Sequence, residues 1–352
     1  VMEETALFAV MGALFARLDL QANLEMIREG ARFYSSFGYT TAQDGRSSTD
    51  TCRMIAMLAE RGELPIDILS FPDILTSTDV MATPLYRRNY VGKYRIGGVK
   101  LTLDGSPQGK TAWLSQPYYV PPEGKPASYR GYPAVTEQQA LEAVELAFRN
   151  DWQIEVHANG DAAIDLLIGA AREATVKHGA KDRRPVLIHG QTTRMDQLDD
   201  LKTLGVVPSL FPMHTFYWGD YHRDSVLGPR RAEIISPCHS VLRRGMRFTT
   251  HHDAPVANPD SMRVLSATVT RRTRSGDILG ADECVPVDIA LKAMTLWAAW
   301  QHYEDDRKGS LAVGKLADLA LLDANPLTID PDRLAEIKVQ AAYKDGEEVW
   351  RR

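Results

Sequence analysis

The stretch Gln153–Ala171, QIEVHANGDAAIDLLIGAA, decides the reading of the fold. Ile154, Val156 and Ala158 alternate with Gln153, Glu155 and His157, the two-residue period of a strand. Asn159-Gly160-Asp161 then turns the chain. Beyond the turn, Ile164, Leu167, Ile168 and Ala171 recur at helical spacing. Strand, turn and helix in that order make a βα unit, with His157 where the strand stops. Asp161 is expected to be the N-cap of the helix.

The same pattern repeats on both sides. Strands are predicted at Gly38–Gly45, Ile66–Phe71, around Lys100 in RIGGVKLTLDGS, in WQIEVHA, at Arg184–Gly190, in GVVPSLF and in GMRFTTHHDAPV, seven in all. Helices are predicted over 3–18, 21–36, 49–61, 135–150, 161–178, 194–204, 229–245 and 286–303. From Gly309 the character changes: GSLAVGKLADLALLDANP and IKVQAAYKDGEEVW read as strands and hairpins. The expected organisation is α/β, a (β/α)8 TIM-type barrel over 1–308 with part of a small β-domain over 309–352. An eight-stranded barrel needs one strand more than the seven counted, and the missing unit is expected to be the first.

Composition limits the function classes. The chain has 352 residues, 44% hydrophobic and 25% charged, with a formal charge of −5. That suits a large-cored soluble protein and gives no basic face for nucleic acid. No apolar run is long enough to span a membrane, and no signal peptide is recognised, so a cytoplasmic location is the default. Cys52, Cys238 and Cys284 are scattered and odd in number, which indicates neither a disulfide framework nor a Cys-based metal site.

Catalytic groups of a βα barrel project from the C-terminal ends of its strands. Lys100 lies in the fourth strand, His157 ends the fifth, His189 ends the sixth, and Asp253 follows the last. His189 comes one βα unit after His157, and Asp253 two units later. Imidazole and carboxylate suit a divalent ion such as zinc. Each residue alone has a plainer reading: a lone strand-end His is usually a hydrogen-bonded group, Lys100 a surface-reaching amine, and Asp253 the cap of a turn before Pro255.

Aromatic residues and two further histidines complete the candidates. His214, in PMHTFYWGDYH, is placed to hydrogen-bond a carbonyl or its developing oxyanion. Phe216, Tyr217 and Trp218 either wall an apolar substrate pocket or pack the loop against the rim. The long segment 104–133 carries Trp113, Tyr118 and Tyr119 and reads as a substrate-contacting lid or as solvent-facing decoration. His251 is expected to orient Asp253 from behind. His178, His222 and His302 read as surface or structural histidines.

GGVKLTLDGS, VHANGDAAID, IHGQTTR, PMHTFYWGD, HHDAPV and KGSLAVGKLADLALLD resemble, as an ordered set, the amidohydrolase superfamily, in the branch of N-substituted formamide deformylase-like and AepA-like hydrolases. The likeness runs from about Gly38 to the C-terminus. It implies a barrel joined to a small β-sandwich built from both chain ends, and hydrolysis of a non-peptide amide C–N bond in a small molecule by a metal-bound hydroxide. Lys100 would be carboxylated and bridge two metals, His157 and His189 would bind the second, and Asp253 would be both metal ligand and general base. One or two divalent ions per chain, zinc by preference, are implied, and a homodimer is compatible. The alternative is a degenerate barrel with a binding or regulatory role and no turnover.

One motif departs from the family. Its members carry His-x-His at the end of the first barrel strand, and no His-x-His occurs in this sequence; His251-His252 has the wrong spacing. The first strand and the N-terminal half of the sandwich are expected to be absent too. Loss of the natural N-terminus and a barrel that has shed its first metal both fit. The former is favoured, because an open seven-stranded barrel would expose an apolar edge.

Overall fold

The structure, a computed structural model, describes residue 10 and residues 18–352. The helix expected over 3–18 therefore lies almost wholly outside the described residues. The chain forms two compact units: the described residues up to Lys100 with Asp306–Ala324 and Lys338–Arg352, and a second of Leu101–Asp305 with Asn325–Ile337.

The first unit begins with helix α1 (Leu20–Ser35), capped by the Asp19 carboxylate, which accepts from the Ala22 amide at 2.7 Å. Strand β1 (Thr41–Ser47), helix α2 (Thr49–Glu60) and strand β2 (Asp67–Pro72) make a parallel βαβ unit, and β3 (Tyr94–Ile96) pairs parallel with β2. The single strand expected around Lys100 is interrupted at Gly97, after which β4 (Gly98–Thr102) continues. A Cβ on Gly97 would lie 2.6 Å from Leu69 Cδ1 and 3.1 Å from Phe71 Cζ, so a side chain there would have to displace these two. The C-terminal strands β9 (Leu319–Leu322), β10 (Val339–Lys344) and β11 (Glu347–Arg351) form an antiparallel sheet in the order β11-β10-β9. Its hairpin turns through Asp345 and Gly346, both at positive φ, which is the geometry an Asp-Gly pair favours. The buried Lys344 ammonium ties this sheet to Asp67 of β2, at 3.0 Å, and to Asp318.

The second unit is organised by a parallel sheet in the order β4-β5-β6-β7-β8, to which the end of β4 belongs, with β5 (Gln153–Ala158), β6 (Val186–His189), β7 (Val207–Leu210) and β8 (Thr249–Thr250). Helices α3 (Glu137–Arg149), α4 (Asp161–His178) and α5 (Met195–Leu204) fall where the apolar spacing predicts them. A capping box of Thr136 and Gln139 starts α3, and left-handed Gly205 ends α5. Beyond β7 come α6 (Met213–Tyr221), a π turn at His222–Val226, α7 (Pro229–Ala232), α8 (Cys238–Arg243), α9 (Ser261–Thr270), α10 (Val287–Met294) and α11 (Leu296–Gln301). Parallel strands alternating with helices establish the α/β class.

Several expectations need correction. The helix expected over 229–245 is two short ones, because Ser236 takes a φ of 47° and sends its amide to the Gln191 carbonyl instead of into a helix. The helix expected over 286–303 breaks at Thr295, whose φ and ψ of −125° and −88° are not helical. The last strand shrinks to Thr249–Thr250: Asp253 adopts a φ of 55°, and Pro255 has no N–H for a ladder. Gly160, not Asp161, is the N-cap of α4. Asp161 is already helical, and its carboxylate accepts from the Ser115 amide at 2.8 Å and pairs with Arg194 at 3.1 Å. Among the described residues no helix is long and apolar enough to cross a membrane.

Candidate active site

The parallel register sets Ala158 opposite His189 and His189 opposite Leu210, so the ends of β5, β6 and β7 stand level. At that level His189 Nε2 is 3.1 Å from His157 Nδ1, and His189 Nδ1 is 3.0 Å from His251 Nε2. His251 Nδ1 in turn meets Ser209 Oγ at 3.1 Å. At the other end, His157 Nε2 faces the Gly105 carbonyl at 3.1 Å and Asp104 Oδ1 at 3.5 Å. The carbonyl and the carboxylate only accept, while the Asn159 amide, 3.2 Å from the same nitrogen, donates to the Gly105 carbonyl instead, so these neighbours favour a proton on His157 Nε2. With all three rings neutral, His189 Nε2–H would donate to His157, His251 Nε2–H to His189 and the Ser209 hydroxyl to His251.

Asp104 anchors the chain's inner end. Its buried carboxylate accepts from the amides of Asn159 (2.9 Å), Gly160 (2.8 Å) and Trp113 (2.9 Å). The Asn159 side-chain amide donates to the same Gly105 carbonyl at 2.9 Å. Gly160 has no room for a side chain, since a Cβ there would sit 1.9 Å from the Trp113 carbonyl oxygen. The turn HANGD is thus shaped by the loop after β4 as much as by its own helix.

His214, near the start of α6, lies with its ring 6.4 Å from that of His189 and contacts the Gln191 side-chain oxygen through Nδ1. Burial holds its pKa well below the ordinary histidine value, with smaller contributions from His222, His251 and His157. Burial alone pushes His222 down to about 3 and His252 to about 4. Histidines in such surroundings stay neutral at physiological pH.

The other expected residues are placed as follows. Lys100 is buried in the middle of β4, and its carbonyl accepts from the Ile74 amide at 2.8 Å. Asp253 is half-buried in the loop after β8. His251, expected behind Asp253, bonds Ser209 and His189. Tyr118 is built into its own loop, its hydroxyl donating to the Ala112 carbonyl at 2.7 Å and its ring stacked on Tyr129. Phe216, Tyr217 and Trp218 pack, partly buried, against Phe211, Met213, Ala257, Val264 and Ala267, and Arg263 lies over the Phe216 ring. Trp113 lines a shallow pocket with Pro133, Val135, Glu137, Ala162, Asp165 and Leu166.

The segment 104–133 is fastened rather than loose. Lys110 Nζ donates to the Val120 carbonyl (2.7 Å) and Ser225 Oγ (2.8 Å), while the amides of Tyr119 and Val120 reach the carbonyls of Val226 and Ser225. Leu114 and Tyr118 pack with Val226, Leu227, Ile235 and Leu279 beneath it. Sequence reasoning missed Asp104, Asn159, Gln191 and Ser209 as parts of this site. Gln191 and Asp104 carried a signal, since both lie one or two residues past a strand end, the position that singled out the histidines.

Among the described residues no group of three or more His, Cys, Asp or Glu is disposed to hold an ion. The pair His157 Nδ1 and His189 Nε2 nevertheless fits one: two imidazole nitrogens at about 2.0–2.1 Å from a tetrahedral ion stand roughly 3.3 Å apart, close to the 3.1 Å found.

Comparison with known proteins identifies the family. The YtcJ protein of Bacillus subtilis is 25% identical over 257 residues, 72% of this chain and 47% of that protein. The N-substituted formamide deformylase of Arthrobacter pascens is 28% identical over 194 residues, 55% of this chain and 35% of the enzyme. This chain thus spans half or less of the length of these relatives. The crystal structure of an uncharacterized metal-dependent hydrolase from Pyrococcus horikoshii superposes with a TM-score of 0.79 at 22% identity, covering 93% of this chain and 65% of that one, and so shares its fold. The family model described as the amidohydrolase family matches residues 1–350, and the chain belongs to that family.

Proposed function

We propose that the chain is the catalytic part of a metal-dependent hydrolase that cleaves a non-peptide, amide-type C–N bond in a small molecule. The observation that carries this reading is the 3.1 Å separation of His157 Nδ1 and His189 Nε2 at adjacent strand ends. The likeness in fold supports taking the parallel strands as parts of a (β/α)8 barrel, whose C-terminal strand ends carry the chemistry. His157 and His189 would hold a divalent ion, in our reading zinc. Such an ion supplies a Lewis acid that polarises an amide carbonyl and acidifies a water.

The protein's own groups prepare this. With its proton on Nε2 toward the Gly105 carbonyl, His157 would point a lone pair from Nδ1. His189 must move its proton from Nε2 to Nδ1 to act as a ligand. It then donates to His251 Nε2, and His251 Nδ1–H donates to Ser209 Oγ, so the outer half of the chain reverses direction without any atom leaving its contact. Asp253 is assigned the proton, taking it from the attacking water and returning it to the leaving nitrogen. A carbamate on Lys100 would supply anionic oxygens that its ammonium form lacks.

The test is hydrolysis of N-substituted formamides and simple amides by the purified protein, followed as formate or amine release. Turnover that is abolished by chelation and restored by zinc is expected. A zinc-loaded protein that cleaves none of them contradicts the proposal.

A further inference from the structure

The His214 ring is clamped by three aromatic neighbours, with centroids at 4.3 Å (Phe211), 5.5 Å (Trp218) and 5.7 Å (His222), the last edge-on at 88°. With 2% of its surface exposed, it cannot exchange its two nitrogens by turning over unless all three neighbours repack. Its Nδ1 contacts Gln191 Oε1, and the Ser236 hydroxyl lies 3.3 Å from that oxygen and 3.3 Å from the Phe211 carbonyl. Gln191 is itself held in place: its carbonyl accepts from the Ser236 amide at 3.0 Å, and its side chain is fully buried.

With its oxygen turned to the ring, the Gln191 amide can only accept, and in that orientation His214 would carry its single proton on Nδ1 and present a lone pair at Nε2. A hydrogen bond to a carbonyl or an oxyanion needs the reverse, a proton on Nε2. Around the ring, the Gln191 amide nitrogen, the Thr215 hydroxyl and both His222 nitrogens are buried without a hydrogen-bond partner. These are neutral donors and acceptors, a setting that suits internal water and an uncharged amide better than an ion.

We propose that Gln191 is a positioning residue that fixes His214 as a hydrogen-bond acceptor at Nε2, so that His214 recognises the N–H of an amide-type substrate and not its carbonyl oxygen. The assignment of the tautomer rests on the orientation of the Gln191 amide, and the choice of substrate group on the hydrolase reading above. The substrate class that follows is a primary or secondary amide, with N,N-disubstituted amides disfavoured.

Nitrogen-15 NMR of histidine-labelled protein at neutral pH tests the assignment, with the His214 signals identified by their loss in His214→Gln. A protonated Nδ1 and a bare Nε2 are expected. Gln191→Leu should populate the opposite tautomer, while Gln191→Glu, which keeps an acceptor oxygen, should preserve the original. An Nε2-protonated or doubly protonated ring in the wild type overturns the proposal, whether or not the variants fold, and so does an unchanged tautomer in Gln191→Leu. If the protein hydrolyses a secondary amide, N-methylation of that amide should raise KM about tenfold or more, and equal KM values overturn the substrate half. Absence of all hydrolysis would sink the hydrolase reading and leave the NMR result to judge the tautomer.

Discussion

His189 Nε2 stands 3.1 Å from His157 Nδ1, and the opposite nitrogen of the same ring stands 3.0 Å from His251 Nε2. One imidazole thus joins a would-be ligand to a group that can take its second proton. His251→Phe removes that acceptor while keeping an aromatic ring stacked on Phe211. Zinc affinity, measured by competition with a chelating dye, should fall by about 10- to 100-fold, with little change in thermal unfolding. Undiminished affinity would mean that His251 does not support His189.

Asp104 gathers three backbone amides from two loops onto one buried carboxylate. Asp104→Ala leaves these donors unpaired in the interior and should lower stability by about 3–5 kcal/mol. Urea unfolding followed by circular dichroism would measure it. A loss within experimental error would show that the loops hold HANGD without this carboxylate.

Lys110 fastens the segment 104–133 through its contacts with Val120 and Ser225. Lys110→Met keeps the stem but neither hydrogen bond. Hydrogen exchange at the Tyr119 and Val120 amides should quicken by about tenfold, which corresponds to about 1.4 kcal/mol of local opening. Exchange as slow as in the wild type would place the fastening in the apolar contacts of Leu114 and Tyr118.

His222 has both ring nitrogens buried and its pKa pushed down by burial to about 3 from 6.5. In the unfolded chain it takes up a proton as pH falls through 6.5, and in the folded chain it does not until about pH 3. Its contribution to stability is therefore complete above pH 6.5 and is lost progressively as pH falls toward 3. The expected slope is about 1.4 kcal/mol per pH unit within that window. Replacing the ring by Phe should remove that share of the slope in urea titrations at several pH values, and an unaltered slope would show that His222 is not held neutral.

The sequence made the βα rhythm legible because periodicity survives in a single chain: Ile154, Val156 and Ala158 had to face one side, and Ile164, Leu167 and Ile168 had to line a helix. His157 and His189 were legible for the same reason, since a strand end is a position that counting can find. What escaped depends on partners far along the chain. The break near Ser236 comes from the Gln191 carbonyl, and Asp161 is drawn from the capping position toward Ser115 and Arg194. Asp104 stood out only as the start of the long segment 104–133, and only the folded chain shows it holding Asn159 and Gly160. His222 looked structural, and its unpartnered nitrogens beside His214 emerge only from packing.

The central claim is that His157 and His189 together hold a divalent ion, and zinc content per chain after equilibrium dialysis tests it most directly, with wild type beside His157→Leu, His189→Leu and the double variant. The account predicts that the wild type retains zinc through dialysis, that each single variant loses more than about 100-fold in affinity, and that the double variant is no weaker than the worse single one, because one ion is shared. Zinc retained by the folded double variant at the wild-type level would contradict it.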